Sequence, residues 1–197
     1  MPEDNGRQYD PHLIETFKKI VQKFGIKSYI ETGFRDAYNI ERLSEANKSL
    51  QCYGADIDKQ KYDWAKRYFL DHQFDHVTLF NIDSTYMIKV LGQWCVKQPV
   101  LFFLDANCDN VKLTPLKKEL DAILEYFQQF VICIHDFEHP ARKVPFNNQL
   151  EDIEEHVKWM DNPIIKYNTA AQYGKWDMFV GACFVWSGIK DNGFQPN

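Results

Sequence analysis

The chain has 197 residues, 45% of them hydrophobic and 15% aromatic, enough apolar area for one sizeable core, which excludes a disordered tail or a solvated repeat. With 28 acidic against 23 basic residues the formal net charge is −5, which removes the broad basic footprint of a nucleic-acid binder. Lys59, Lys61, Lys66 and Arg67 read instead as a solvated helix face.

No run approaches the roughly 18 uninterrupted apolar residues of a membrane span, and Met1 to Asp10 is polar, without the apolar core of a signal peptide. The five cysteines, Cys52, Cys95, Cys108, Cys133 and Cys183, are odd in number, scattered, and mostly set in apolar runs. Buried free thiols suit them better than a disulfide frame or a zinc ribbon. Both features are those expected of a cytoplasmic protein.

Taken in chain order, Leu13, Ile14, Phe17, Ile20, Val21 and Phe24 share one helical face, and Gly25 stops the helix that begins at Pro11. Strand-sized apolar runs follow at Ser28 to Glu31, Gln51 to Asp56, Val77 to Asp83, Val100 to Asp105 and Phe130 to Asp136. Between them helical spacing or caps mark Tyr38 to Ala46, Lys59 to Leu70, Ser84 to Leu91 and Thr114 to Phe127. In the last of these, Thr114 is the expected cap and Pro115 the first helical residue. A loop from His139 to Asn148, a helix from Gln149 to Met160, and strands at Ile164 to Asn168 and Met178 to Trp186 complete the chain. The stretch Ala170 to Trp176 suits a hairpin between those last two strands.

The acidic strand ends stand at positions 31, 56, 83, 105 and 136, so their spacings are 25, 27, 22 and 31 residues, each near a strand plus a crossover helix. The expectation is a single α/β domain with a Rossmann-like three-layer sandwich: a seven-stranded, mostly parallel sheet with an antiparallel last strand. Residues 1–26 would form an N-terminal helix, 27–137 a cofactor-binding core, and 138–197 a substrate-side loop, helix and final hairpin. In a parallel sheet all five carboxylates project at the carboxyl edge, where ligands bind in open α/β folds.

Glu31-Thr32-Gly33 falls where the first strand turns into its helix. A dinucleotide site would need further glycines here, and Asp36 would repel a pyrophosphate. S-adenosylmethionine carries a sulfonium and an ammonium rather than phosphates, so acidic residues attract it. Asp58 reads as a helix cap. His135 to His139 spells H-x-x-E-H, but a buried strand precedes it and Pro140 follows, so the one-faced helix of a zinc peptidase is excluded.

Glu31-Thr32-Gly33, Tyr53-Gly54-Ala55-Asp56-Ile57-Asp58, Asn81-Ile82-Asp83-Ser84, Phe103-Leu104-Asp105-Ala106-Asn107 and Ile134-His135-Asp136-Phe137 together resemble, in order and spacing, the class I S-adenosylmethionine-dependent methyltransferases. Leu104-Asp105 and His135-Asp136 are similar to the strand-end aspartates of small metal-dependent O-methyltransferases of the catechol or macrolide-sugar type. The resemblance implies that Glu31, Thr32 and Gly33 flank the methionine part of the cofactor, that Asp56, beside Ile57, accepts from the ribose hydroxyls, and that Asp83 and Ser84 lie beside the adenine, with Asp105 closing that group. The chain departs from the family at Arg35-Asp36-Ala37, where further glycines are usual.

Asp105 and Asp136, on neighbouring strands, would repel one another or share a divalent cation, for which Mg2+ is the expected ion. Asn107 or Glu138 would complete its shell, since Phe137 stands where the catechol type has an amide. His135 and His139 are candidate general bases. Phe146, Trp159, Tyr173 and Trp176 are candidates for the mouth of the cleft, and Arg142-Lys143 for contact with an acidic substrate. The expected activity is methyl transfer to a hydroxyl of a small molecule, a sugar or phenol, with Asp105, His135 and Asp136 as the catalytic group and neither nucleic acid nor membrane as partner; homo-oligomerisation is compatible with this. The alternatives are a degenerate cofactor-binding module and a metal-dependent hydrolase on the same carboxylate edge.

Overall fold

The computed structural model describes residues 11–94, 96–106, 115–137, 148, 150–168, 172–173, 178–179, 181–190 and 193–196. Helices α1 (Pro11–Phe24), α2 (Tyr38–Ala46), α3 (Lys59–Asp71), α4 (Ser84–Gln93), α5 (Leu116–Tyr126) and α6 (Leu150–Val157) alternate with strands β1 (Ser28–Thr32), β2 (Gln51–Ala55), β3 (Val77–Phe80), β4 (Val100–Leu104) and β5 (Phe130–Phe137) before the chain ends in β6 (Ile164–Asn168), β7 (Gln172–Tyr173), β8 (Met178–Phe179) and β9 (Gly181–Ser187). The main sheet has seven strands in the order β3-β2-β1-β4-β5-β9-β6. β1 to β5 pair in parallel, and β9 lies antiparallel to both β5 and β6. The expected architecture is therefore present. β7 and β8 form a separate two-stranded antiparallel ribbon between β6 and β9.

Alternation along β4 shows how the sheet separates two cores. Leu101 and Phe103 pack with α1 and α2 residues such as Phe17 and Ile40, whereas Val100, Phe102 and Leu104 pack with Met87 of α4 and Leu120 and Ile123 of α5. Side chains on a strand point alternately to opposite faces, and a strand covered on both reads as a continuous apolar run. Burying a side chain such as Phe103, 2% exposed, contributes roughly 2 kcal/mol.

Several expected boundaries move. β3 stops at Phe80, and Asp83 serves instead as the cap of α4. Pro115 occupies the cap position of α5, one residue before the helix; Thr114 lies outside the described residues. Asp58 caps α3 as expected, accepting from the backbone N–H groups of Gln60 and Lys61. Cys52, Cys133 and Cys183 are buried thiols outside any disulfide, and Cys95 and Cys108 lie outside the described residues. Among the described residues no helix is long and apolar enough to cross a membrane.

Candidate active site

Register puts the site together. Thr32 pairs with Ala55 and with Leu104, and Leu104 pairs with Ile134, so Gly33, Asp56, Asp105 and His135 emerge side by side at the carboxyl edge. The turn after β1 packs onto the end of β4: Asp105 N–H donates to Thr32 Oγ1 at 3.2 Å, and Gly33 N–H donates to the Ala55 carbonyl at 2.8 Å. Gly33 has φ +69°, and a Cβ there would sit 2.7 Å from the Asp105 carbonyl oxygen. Only glycine permits this approach.

On the β1–β3 side the carboxylates are engaged separately. Glu31 is 2% exposed; the Tyr29 hydroxyl donates to its Oε2 at 3.1 Å and Asn39 Nδ2 to its Oε1 at 2.9 Å. Burial is the largest influence on it and pushes its pKa up to about 8, against the two hydrogen bonds, which hold it down. The group is mostly neutral at pH 7 rather than a bare anion. Asp56 Oδ2 accepts from Arg35 N–H at 2.9 Å and its Oδ1 from Asp58 N–H at 2.8 Å. Each carboxylate oxygen retains a second acceptor position. Ile57, next to it, is 71% exposed, an apolar side chain held at the rim. Asp83 Oδ1 accepts from Tyr86 N–H at 3.0 Å, and Asn81 Nδ2 donates to the Asp56 carbonyl.

On the β4–β5 side the carboxylates converge. His135 Nδ1 lies 2.9 Å from Asp105 Oδ1 and 3.3 Å from Asp136 Oδ1, and the donor atoms of all three residues are within 4.8 Å of one another. A register shift between Ile134 and Phe137 makes this arrangement, with Asp136 at φ +49°. The bulge brings Asp136 onto the same side as its neighbour, where a regular strand would send it to the other face. The ring of His135 stands edge-on to Phe103, centroids 5.5 Å apart, and Asn148 Nδ2 donates to the His135 carbonyl.

No family model and no curated protein matches the chain by sequence. Solved structures do match it. A protein described as a caffeoyl-CoA O-methyltransferase from Staphylococcus aureus superimposes with a TM-score of 0.65 at 12% identity, over 91% of this chain and 85% of that one. An O-methyltransferase from Klebsiella pneumoniae gives 0.63 at 14% identity over 92% and 82%. A methyltransferase from Streptococcus mutans in complex with SAH gives 0.56 at 12% identity over 88% and 97%. The chain has the class I methyltransferase fold.

Within this methyltransferase fold the glycine-poor turn keeps a glycine-like path. Gly33, Arg35 and Ala37 have φ of +69°, +48° and +53°, so the left-handed positions recur at every second residue although two of them carry side chains. Each non-glycine residue there costs about 1 kcal/mol.

The group at Asp105 and Asp136 includes His135 as a third donor, an addition to the two-aspartate set read from sequence. Two carboxylate oxygens and an imidazole nitrogen in mutual reach fit a divalent cation. The nitrogen suits Mn2+, Fe2+ or Zn2+ better than it suits Mg2+, which prefers oxygen throughout. Asn107 and Glu138, the residues expected to complete a shell, lie outside the described residues, as do His139, Arg142, Lys143, Phe146 and Trp176.

Trp159 is not at the mouth of the cleft. α6 starts near the carboxyl edge, where Asn148 meets His135, and runs back, so that Asp161 bonds Ser187, which pairs with Phe130 at the opposite edge. Trp159 lies at that far end, 84% exposed. Glu119, in the first turn of α5, is a carboxyl only 1% exposed that the sequence reading did not single out. The signal was available, since Leu116, Glu119, Leu120 and Ile123 fall on one face of α5 and a carboxyl among core positions is uncommon.

Proposed function

We propose that this chain is an S-adenosylmethionine-dependent methyltransferase that methylates a hydroxyl of a small molecule. The observation that carries the reading is the convergence of Asp105, His135 and Asp136 within 4.8 Å beside the Gly33 turn. A proton-accepting group thus stands next to the place where this fold receives its cofactor.

Binding falls to the β1–β3 ends. The Gly33 turn would give the methionine part close backbone approach, Asp56 would accept from the ribose hydroxyls through its remaining acceptor positions, and Ile57, Asp83 and Ser84 would hold the adenine. Thr32 holds Asp105 N–H and so keeps the two halves of the site in register. Chemistry falls to the β4–β5 ends. With its proton on Nδ1, His135 donates to the two carboxylates and Nε2 is the basic nitrogen. S-adenosylmethionine would supply the methyl group: the acceptor hydroxyl would give its proton to that nitrogen as its oxygen attacks the methyl carbon in line, the carbon–sulfur bond breaking and SAH leaving with its sulfur neutral. Asp105 and Asp136 stabilise the imidazolium that forms. A divalent ion held by Asp105, His135 and Asp136 would replace that base rather than assist it, supplying acceptor positioning and a lower hydroxyl pKa instead.

A small acceptor agrees with the net charge of −5, although ribosomal RNA methylases are among the similar structures. The left-handed path that the turn keeps favours a working cofactor turn over a degenerate module. Titration calorimetry with S-adenosylmethionine, followed by turnover on sugar and phenol panels with and without EDTA and added Mn2+ or Mg2+, tests the reading. A folded sample that does not bind the cofactor rejects it; binding without turnover on any hydroxyl rejects the acceptor class.

A further inference from the structure

The gathering of two aspartates on His135 depends on an irregularity in β5 that a single residue straddles. The pairing of β5 with β9 runs Ile134 with Cys183 and then Phe137 with Gly181, so His135 and Asp136 together stand opposite Ala182 alone. A strand with one residue more than its partner loses ladder hydrogen bonds and bends at that point. Asp136 has φ +49° there, a left-handed conformation that a residue with a side chain keeps only where its surroundings impose it.

Asn148 acts on the strand from both sides of Asp136. Its Nδ2 donates to the His135 carbonyl at 2.9 Å, and its backbone forms a parallel bridge with Phe137. One residue thus grips β5 immediately before and immediately after the left-handed position. Asn148 is 4% exposed, and because a carbonyl can only accept, the amide nitrogen is the end that faces the strand. Its Oδ1 is buried with no hydrogen-bond partner. A side chain present for packing alone would do better without polar atoms, since an unpaired buried acceptor costs stability. The donor is what this position requires.

We propose that Asn148 is the positioning residue of the catalytic group: by clamping β5 on either side of Asp136 it holds the bulge in which the Asp136 carboxylate stands 3.3 Å from His135 Nδ1, beside Asp105 at 2.9 Å. Without the clamp β5 regains regular alternation, which sends residue 136 to the face opposite residue 135, and the imidazole keeps one carboxylate in place of two. The assignment rests on the reading of His135 as the proton acceptor.

Proton NMR of protein carrying isotope-labelled histidine reads the group directly, with neither cofactor nor acceptor present. The His135 Nδ1 proton, held between two carboxylates, is expected as a slowly exchanging downfield signal, assigned by its loss in His135→Gln. Asp136→Ala is expected to shift it, because one of its acceptors is gone. Asn148→Leu must shift it in the same direction and to the same extent, and the two substitutions combined must shift it no further. A signal that Asn148→Leu leaves in place, or a combined shift equal to the sum of the separate ones, overturns the proposal. Should Asn148→Leu not fold, Asn148→Ala removes the donor without adding bulk and must give the same shift; an unmoved signal there overturns the proposal as well. On a phenol or sugar acceptor the single-turnover rate of Asn148→Leu is expected to fall about tenfold, and a rate within about twofold of the parent's overturns the proposal. A parent in which His135 shows no such ring proton rejects the catalytic group of the proposed function and this proposal together, whereas a parent signal unaffected by Asn148→Leu rejects this proposal alone.

Discussion

The two halves of the carboxyl edge handle negative charge differently. At the ends of β1 to β3 each acid has its own donors: Glu31 has Tyr29 and Asn39, Asp56 has two backbone N–H groups, and Asp83 caps α4. At the ends of β4 and β5, two aspartates share one imidazole. Separate donors fix loops, and at Asp56 they leave each carboxylate oxygen a spare lone pair. A shared ring keeps two like charges together and lets them act on a proton. The first arrangement suits binding and the second suits chemistry.

Substitutions on the two sides should therefore produce opposite splits. The largest effect is expected from Asp105→Asn, which takes one carboxylate from His135: turnover should fall by about 100-fold or more, with cofactor affinity within about twofold. Asp56→Ala should do the reverse, weakening the cofactor about tenfold or more and destabilising the fold by about 2 kcal/mol as two N–H groups lose their acceptor. Single-turnover rates and calorimetric Kd values measure both, and a common pattern in the two variants would break the division. Glu31→Leu should cost a further ~2 kcal/mol in urea unfolding, because the buried Tyr29 hydroxyl and the half-buried Asn39 amide would lose their acceptor.

Proton linkage sharpens the picture further. Glu31 and Glu119 titrate near 8 and near 7 in the folded chain, above the ordinary glutamate value of about 4.3, so the folded state keeps protons that the unfolded state releases. Their contribution to stability is full below about pH 4.3 and is lost progressively as pH rises toward 8, where it levels off. Urea midpoints should fall across that window. Glu31→Gln should remove the larger part of the slope and Glu119→Gln the smaller. The smallest effect belongs to Ala37→Gly: a left-handed residue becomes glycine, and stability should rise by about 0.5 kcal/mol.

Sequence made the sheet legible because β4 and β5 are uninterrupted apolar runs and their acidic ends recur at crossover spacing. It placed Asp105 and Asp136 on neighbouring strands by taking the strand order usual for the fold it resembles, and β4 does pair with β5. The gathering of both on His135 was not legible, since alternation along a regular strand sends residues 135 and 136 to opposite faces and only the bulge defeats it. Arg35 and Ala37 looked like departures from a glycine-rich turn because residue type was read as backbone conformation, whereas the turn holds both in the left-handed region. Trp159 was misplaced because the run direction of α6 depends on where β6 begins, and pairing register decides that.

Strand order also has a consequence for synthesis. β9, the last strand in sequence, lies between β5 and β6, so a nascent chain that has emerged only as far as residue 180 has no native neighbour for the outer flank of β5. The backbone amides and carbonyls of Val131 to Ile134 then lie open along an apolar ribbon that invites association with other unfinished chains. Until β9 has been made, that flank of β5 stays open however far the β1–β3 half has folded.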